Sequence, residues 1–314
     1  MAEIQKRPVS NSGLKVAPLA LGGNVFGWTA DEAMSFRILD RFVDAGGTMI
    51  DTADVYSAWV PGHKGGESEE VIGRWLKRDP SKRQKVVLAT KVGFMAGLRP
   101  ETIGPSCDAS LQRLGVETID LYYQHKDDES VPLADSLKTF DDQAKAGKIR
   151  AIGLSNFTPG RLAEACIIAR VDGFPAVSAF QTWYNLLERP KYETELREVA
   201  VKEGLAVFPF YSLANGFLTG KYRSKEDLGK SVRGMRNVEY LDGKGPRVLA
   251  ALDDVAAETG ASLASVTLAW TMAQPTITAP IASATSIEQA EELIAGMTLE
   301  LTPGQMELLS EASA

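Results

Sequence analysis

The chain alternates between short apolar runs rich in β-branched residues and longer amphipathic runs, and this pattern repeats along most of its length. Short apolar runs bounded by glycine, proline and polar residues are typical of buried strands. The pattern predicts strands at Val16–Gly22, Thr48–Asp51, Val86–Lys91, Ile119–His125, Arg150–Ser155, Ser178–Thr182, Leu205–Tyr211 and Thr278–Ser283.

Segments of helical periodicity separate these strands. They are Asp31–Ala45, Glu67–Arg78, Glu101–Leu114, Leu133–Ala146, Gly160–Arg170, Lys191–Glu203 and Leu263–Gln274. Strands that alternate with helices of this length indicate βαβ units and a parallel sheet. Eight such units favour an α/β fold of the closed (β/α)8 TIM-barrel type over an open sheet.

Three segments lie outside the regular repeat. Lys6–Ala17 carries an Asn-Ser-Gly turn between short apolar runs, which predicts a β-hairpin before the barrel. Pro246–Glu258 and Pro303–Ala312 predict two extra helices, the second with Thr302 as N-cap. Because no low-complexity linker divides the chain, we expect residues 1–314 to form one domain.

Composition excludes several classes of function. The net charge of −7 and the absence of a basic block argue against nucleic-acid binding. No apolar run is long enough to span a membrane, and the polar N-terminus is not that of a signal peptide. Cys107 and Cys166 offer neither a disulfide framework nor metal-ligand spacing, which predicts a cytoplasmic protein without a metal. Nothing in the pattern indicates an oligomeric state.

Ionisable side chains close three successive predicted strands. Asp51, Lys91 and His125 end strands two, three and four, and Tyr56 follows in the loop after Asp51. In a barrel of this type the carboxyl ends of the strands carry the active site. Buried ionisable groups cost free energy unless they are paired, so their convergence indicates chemistry. The alternative is a structural Asp51–Lys91 ion pair beside a loop tyrosine.

These four residue types suit proton transfer to a carbonyl oxygen. A lysine ammonium next to Tyr56 is expected to lower the pKa of the phenol, and Asp51 would orient that ammonium. His125 would donate a hydrogen bond to the carbonyl oxygen, while Tyr56 acts as general acid in reduction and as base in oxidation. Because no redox-metal site is evident, a nicotinamide is the natural hydride source.

Six motifs in order resemble those of the aldo-keto reductases. They are GGTMIDTADVYS, VVLATKVG, IDLYYQHKDD, IGLSNF, QTWYNLLER and YSLANGFLTGKY, and the resemblance runs from about Arg7 to Leu309. The stretch GGESEEVIGRWL is similar to the bacterial and potassium-channel β-subunit branches. The resemblance implies a catalytic tetrad of Asp51, Tyr56, Lys91 and His125.

The resemblance also implies a cofactor site. Its expected nicotinamide-side residues are Gly23, Asn24, Asp51, Ser155, Asn156, Gln181, Tyr211, Ser212 and Leu213, with the ring stacked on Tyr211. The expected contacts of the adenosine 2'-phosphate are Lys221, Arg233, Thr285, Gln289 and Glu292, with Arg236 as the alternative arginine. Many relatives carry arginine at the position of Thr285 and asparagine at that of Leu293, so this end matches less well. NADPH is favoured over NADH, and no GxGxxG fingerprint suggests a Rossmann site.

Loops beyond the strand ends are expected to form the substrate pocket. Trp28, Trp59 and Phe94 would give it apolar, flat walls suited to a ring-containing substrate. We expect His63 to lie exposed in the loop 57–66, which its Gly and Pro content predicts to be mobile. The long segment Arg223–Gly245 would form either a belt over the cofactor or a disordered surface loop.

The favoured function is an NADPH-dependent oxidoreductase that reversibly reduces a small aldehyde or ketone to an alcohol. One alternative is a cofactor-binding regulatory subunit like the channel β-subunits, and another is an NAD-dependent alcohol or sugar dehydrogenase. A barrel lyase or isomerase without net redox change is a weaker alternative. The natural substrate and the physiological direction stay open at this stage.

Overall fold

Eight parallel strands form a nearly closed barrel in the computed structural model, which describes residues 4–314. After a hairpin of β1 (Arg7–Pro8) and β2 (Lys15–Val16), the barrel strands are β3 (Ala20–Gly22), β4 (Met49–Asp51), β5 (Val87–Val92), β6 (Ile119–Gln124), β7 (Ile149–Ser155), β8 (Val177–Trp183), β9 (Ala206–Phe210) and β10 (Ile281–Ala282). Successive strands are neighbours from β3 to β9, and β10 pairs with β3. A parallel bridge joins Val207 of β9 to Ile277, which precedes β10, so the ring is nearly closed and the predicted (β/α)8 TIM barrel is confirmed.

Helices surround this barrel. They are α1 (Glu32–Asp44), α2 (Glu67–Arg78), α3 (Pro100–Leu114), α4 (Leu133–Lys145), α5 (Pro159–Val171), α6 (Pro190–Glu193), α7 (Glu195–Glu203), α8 (Lys244–Thr259), α9 (Leu263–Met272), α10 (Ile287–Gly296) and α11 (Pro303–Ala312). The two predicted extra helices are α8 and α11, and the predicted Thr302 cap accepts the backbone N–H of Gln305. No helix within residues 4–314 is both long and apolar enough to cross a membrane.

The N-terminal hairpin closes the lower end of the barrel. Val9, Leu14 and Val16 are buried in the same apolar cluster as the inward-facing strand residues. Arg7 fastens the hairpin, because its Nη1 donates to the main-chain oxygens of Met272, at the end of α9, and of Ile277 and Thr278, which precede β10. Only the upper end, where the strands finish, is left for a site.

Inside the barrel, small side chains alternate with a few large ones. Ala89, Ala151 and Ala179 face the same interior as the ring of Tyr123. This ring lies against Gly153, where an added Cβ would be 2.3 Å from a ring carbon. The interior is therefore a packed core that becomes polar only at its upper layer.

Three element predictions need correction. Pro18 has no N–H for a ladder, and the predicted strand Val16–Gly22 is divided between the hairpin and β3. The predicted helix Lys191–Glu203 breaks at Thr194, whose φ of −93° and ψ of −129° are not helical. The sequence pattern also did not predict α10.

The segment Arg223–Gly245 is ordered. It folds into two short 3-10 turns, Lys225–Lys230 and Gly234–Leu241, which follow the strand end of β9. Leu228, Asn237 and Tyr240 are buried, so the alternative of a disordered surface loop is wrong for this segment.

The packing of α2 against α3 gives a test of the fold. An added Cβ at Gly73 would lie 2.1 Å from the carbonyl oxygen of Arg113, whereas at Gly104 the nearest side-chain atom is 3.6 Å away. We expect Gly73→Ala to lower the free energy of unfolding by about 1–3 kcal/mol through overpacking. Gly104→Ala should instead change the free energy of unfolding by less than about 1 kcal/mol, and in the stabilising direction, because alanine favours a helix more than glycine does. Urea denaturation of both variants measures this difference, and equal effects would contradict the described α2–α3 contact.

Candidate active site

A buried lysine organises the upper end of the barrel. Lys91 points inward near the end of β5, and its Nζ donates to Asp51 Oδ2 at 2.6 Å, to the carbonyl oxygen of Thr52 at 2.7 Å and to Tyr56 Oη at 3.2 Å. The side chain is 1% exposed. All three donors of the ammonium group are used, so Tyr56 is a direct partner and the arrangement is more than an Asp51–Lys91 ion pair.

Asp51 is held from two further sides. Its Oδ1 accepts from Gln181 Nε2 at 2.5 Å, and its main-chain oxygen accepts from Gly23 N at 2.7 Å. Burial by itself lowers the pKa of Lys91, because it disfavours the charged ammonium. The Asp51 carboxylate and the Tyr56 oxygen more than offset this effect, so the pKa of Lys91 is raised. The ammonium therefore stays charged inside the barrel.

Tyr56 does not have the lowered pKa that the sequence suggested. Burial raises the pKa of its phenol, and the opposing effect of the Lys91 ammonium is smaller. The phenol is consequently protonated near neutral pH. This protonation state suits a proton donor, whose conjugate phenolate would be stabilised by Lys91 once the proton has left.

His125 faces Tyr56 across the opening. The two ring centroids are 5.9 Å apart, and the Phe94 ring covers His125 from the outside at 4.9 Å. Burial first, and the charge of Lys91 second, lower the pKa of His125 well below its usual value. The imidazole is therefore neutral and can donate a hydrogen bond without carrying a charge. Asn156 Nδ2 fixes its backbone by donating to the His125 carbonyl at 2.9 Å.

The loop that carries Tyr56 is fastened by a single carboxylate. Glu67 accepts the backbone N–H groups of Ser57, Lys64 and Gly65. The sequence predicted that His63 lies exposed in this loop. In the structure it is half-buried, and its Nδ1 lies 3.0 Å from Ser57 Oγ. These contacts hold the predicted mobile loop against the start of α2.

The residues expected around a nicotinamide lie at or just after the ends of several barrel strands. Ser155 ends β7 and Asn156 follows it in a left-handed conformation, φ 57°, with Asn156 Nδ2 donating to Ser155 Oγ at 3.0 Å. Tyr211 follows β9 with φ 55° and packs its ring 4.7 Å from that of Trp183. The carbonyl of Tyr211 accepts from Asn185 Nδ2 at 2.9 Å.

Trp183 and Asn185 were missed by sequence reasoning, although they lie in the motif QTWYNLLER. Their role depends on their distance from Tyr211, which is remote in sequence. The other expected nicotinamide-side residues lie near the same strand ends. Asn24 accepts from Ser283 Oγ at 2.7 Å, Ser212 Oγ donates to the Pro209 carbonyl at 3.1 Å, and Leu213 is half-buried.

The residues expected around a 2'-phosphate lie in the segment after β9 and at the start of α10. Lys221 lies 5.1 Å from the Tyr222 ring centroid and close to Gly216, and Thr285 donates to Gln289 Oε1 at the start of α10. Glu292 follows on α10, where burial raises its pKa. The Arg233 guanidinium lies 5.2 Å from the centroid of Trp28, and Tyr222, which carries Lys221 over its ring, is also among its electrostatic neighbours.

The substrate wall is aromatic. Trp28 and Trp59 meet edge to face with centroids 5.6 Å apart, and Tyr56 meets Trp59 in the same way at 5.8 Å. Trp59 is 47% and Phe94 51% exposed, which is unusual for large apolar rings. The three residues predicted for the pocket thus flank the opening above Tyr56 and His125.

Behind Tyr56 lies a buried acidic pair that sequence reasoning missed. Glu69 is fully buried and accepts from Thr90 Oγ1 at 2.5 Å and from Arg113 at 2.7 Å. Asp54 Oδ1 is also buried and has no hydrogen-bond partner within residues 4–314. Burial first, and the charge of Glu69 second, raise the pKa of Asp54 to about 7.

Asp54 therefore makes stability depend on pH. A raised pKa in the folded chain gives stability that is complete below the pKa of the unfolded state and is lost as the pH rises through about 7. Asp54→Asn should remove this pH-dependent loss of the free energy of unfolding, which amounts to about 1.4 kcal/mol per unit of pKa shift. Urea denaturation from acidic to neutral pH, with the exposed Asp254→Asn as control, measures it. A wild-type slope that persists in Asp54→Asn would contradict the assignment.

Comparisons with known proteins identify the family of this chain. The model of the Aldo/keto reductase family matches residues 18–314. The chain is 34% identical to the uncharacterized oxidoreductase YrpG of Bacillus subtilis, over 96% of this chain and 94% of that protein. It is 29% identical to the protein tas and to L-glyceraldehyde 3-phosphate reductase, both of Escherichia coli, over 95% and 92% of this chain and 94% and 86% of those proteins. This chain belongs to the aldo/keto reductase family, and its role is that of a carbonyl-reducing oxidoreductase.

Proposed function

We propose that the protein is an NADPH-dependent reductase of aldehydes or ketones, with Tyr56 as the proton donor. The observation that carries the proposal is the placement of a protonated phenol 3.2 Å from the buried Lys91 ammonium, opposite a neutral His125. A carbonyl oxygen between Tyr56 and His125 would accept a hydrogen bond from each. The rings of Trp59 and Phe94 lie against Tyr56 and His125 and would contact a substrate bound there.

The proton moves along a short path in this proposal. Tyr56 gives its proton to the carbonyl oxygen, which becomes the alcohol, and the resulting phenolate is stabilised by Lys91. Asp51 keeps the ammonium charged and oriented, and Gln181 keeps Asp51 in place. NADPH, when bound, supplies the hydride. In the reverse direction the phenolate of Tyr56 accepts the alcohol proton.

The donor set of the opening suits a nicotinamide carboxamide. Ser155 and Asn156 offer hydroxyl and amide groups beside Gln181, and the Tyr211 ring stands next to them on a backbone fixed by Asn185. A carboxamide needs both donors and acceptors, and these side chains provide both. We propose that Ser155, Asn156 and Gln181 hold this group and that the ring lies on Tyr211.

Lys221 supports NADPH over NADH in this proposal. It forms no ion pair with a carboxylate in the described part of the chain and lies over Tyr222, where Gly216 leaves room for it. Thr285 and Gln289 at the first turn of α10 add polar groups and a helix N-terminus, which favours anions.

The relative named L-glyceraldehyde 3-phosphate reductase acts, by its name, on a phosphorylated aldehyde.

Removal of the phenol hydroxyl tests the proton donor. Tyr56→Phe should lower kcat for carbonyl reduction by at least about 100-fold, because general acid catalysis is lost. The dissociation constant of NADPH, measured by fluorescence titration, should change little. Tyr192→Phe, which also loses one phenol hydroxyl of a buried tyrosine but one bonded to Thr276, is the matched control and should keep its turnover. Full activity of Tyr56→Phe would refute Tyr56 as the donor.

A second experiment tests the phosphate contact. We expect NADPH to bind more tightly than NADH, and Lys221→Ala to weaken NADPH at least about tenfold through the lost charge-assisted bond. NADH binding should be unaffected. Lys225→Ala, an exposed lysine in the next segment, controls for general charge loss. Tighter binding of NADH by the wild type would instead favour an NAD-dependent dehydrogenase.

A further inference from the structure

We propose that Glu67 is a positioning residue, which fixes the proton donor Tyr56 and the pocket ring of Trp59 by closing the loop 57–66 onto the start of α2. Glu67 acts in this inference through the backbone of the loop and not by touching the substrate. The inference rests on the proposed reductase function, because it takes Tyr56 as the proton donor.

The loop 57–66 has little that could order it by itself. It contains Gly62, Gly65 and Gly66, with φ of 89°, 97° and 89°, and glycine loses more conformational freedom on ordering than any other residue. The loop forms neither a helix nor a strand, and Pro61, Gly62 and Lys64 are exposed. Its order therefore has to come from specific contacts.

Glu67 joins the two ends of this loop. Its Oε1 accepts the backbone N–H of Lys64 at 2.7 Å. Its Oε2 accepts the backbone N–H groups of Gly65 at 3.0 Å and of Ser57 at 3.3 Å. The first residue of the loop and two of its last residues thus meet on one carboxylate.

The same contacts reach the proton donor. Ser57 follows Tyr56 directly in the chain, and the carbonyl oxygen of Tyr56 accepts the backbone N–H of Gly66 at 2.8 Å. The Tyr56 hydroxyl lies 3.2 Å from Lys91 Nζ. Since a misplacement of about 1 Å can cost about 100-fold in rate, a loosened loop would be felt at this hydroxyl.

Trp59 depends on the loop in a second way. Its side chain is 47% exposed, and its ring meets the rings of Tyr56 and Trp28 edge to face. Because nearly half of the side chain is not held by packing, the backbone of the loop sets the place of the ring. Glu67 is thus connected both to the proton donor and to the wall of the pocket.

A neutral side chain would not make the contacts of Glu67. A carboxylate has two acceptor oxygens, whereas an amide has one and would turn its own N–H groups toward a backbone donor. Burial raises the pKa of Glu67, but the backbone N–H groups of Lys64, Glu67 and Ser57 outweigh burial, so this pKa is lowered. The start of a helix also favours negative charge. The carboxylate is therefore charged at neutral pH.

The test compares Glu67→Gln with the matched control Glu70→Gln. Both residues lie in the first turn of α2, but Glu70 is exposed and pairs with Arg74. We expect Glu67→Gln to lower kcat about tenfold or more for benzaldehyde and for butanal, with an unchanged dissociation constant of NADPH. Because the ring of Trp59 is displaced as well, KM should rise more for benzaldehyde than for butanal. Glu70→Gln should keep the wild-type values.

A second measurement does not require turnover. Trypsin cleaves after lysine, and Lys64 is exposed in the loop. A loop that opens more often is cut faster, so we expect cleavage after Lys64 to be at least about tenfold faster in Glu67→Gln. Mass spectrometry identifies the cut, and Glu70→Gln should be cleaved there at the wild-type rate.

The other outcomes are also informative. Unchanged kcat in Glu67→Gln would overturn the inference, as would equal cleavage after Lys64 in the variant and the wild type. A loss of kcat accompanied by weaker NADPH binding and faster cleavage throughout the chain would assign Glu67 a general structural role and overturn the inference too.

Failure of the proposed function would look different. A wild type that turns over no carbonyl compound would refute the reductase. Faster cleavage after Lys64 in Glu67→Gln, with weaker binding of benzaldehyde to the protein saturated with NADP+, would then still support Glu67 as the residue that sets the loop and its tryptophan.

Discussion

The buried ammonium of Lys91 is the constraint on which the rest of the site depends. A charge withdrawn from water is tolerated only when every donor has a partner, and Lys91 meets this condition with Asp51, Thr52 and Tyr56. Those three partners must then be fixed in turn. Gln181 and Gly23 hold Asp51, while Glu67 and the start of α2 hold the loop of Tyr56.

The apolar lower part of the barrel supports these contacts of Lys91. The hairpin and the alanine-rich interior keep water away from the region beneath Lys91, and Tyr123 fills the centre against Gly153. Such surroundings favour the neutral form of a titratable side chain, because burial disfavours its charged form. Tyr56 and His125 therefore both stay uncharged beside a charged lysine, and each can donate a hydrogen bond to the same oxygen.

Charges elsewhere in the upper barrel follow two different patterns. Lys91 is buried with Asp51, and the half-buried Arg113 is paired with the buried Glu69, so their charges are compensated within the protein. Lys221 and Arg233 have no such partner in residues 4–314, and they lie over the aromatic rings of Tyr222 and Trp28. The first pattern holds the structure together, whereas the second leaves positive charge available to a ligand.

The sequence by itself determined the barrel, its two extra helices and the residues at the strand ends, because strand and helix periodicities are local and parallel strands bring their carboxyl ends to one edge. Only the tertiary structure decided the charge states and the partners. The pKa of Tyr56 is raised because burial outweighs Lys91, a balance that no motif contains. The proximity of Asp54 to Glu69, of Trp183 to Tyr211 and of Arg233 to Trp28 brings together residues of different elements. Such contacts depend on how loops pack above the barrel, and that packing is not encoded in any local pattern.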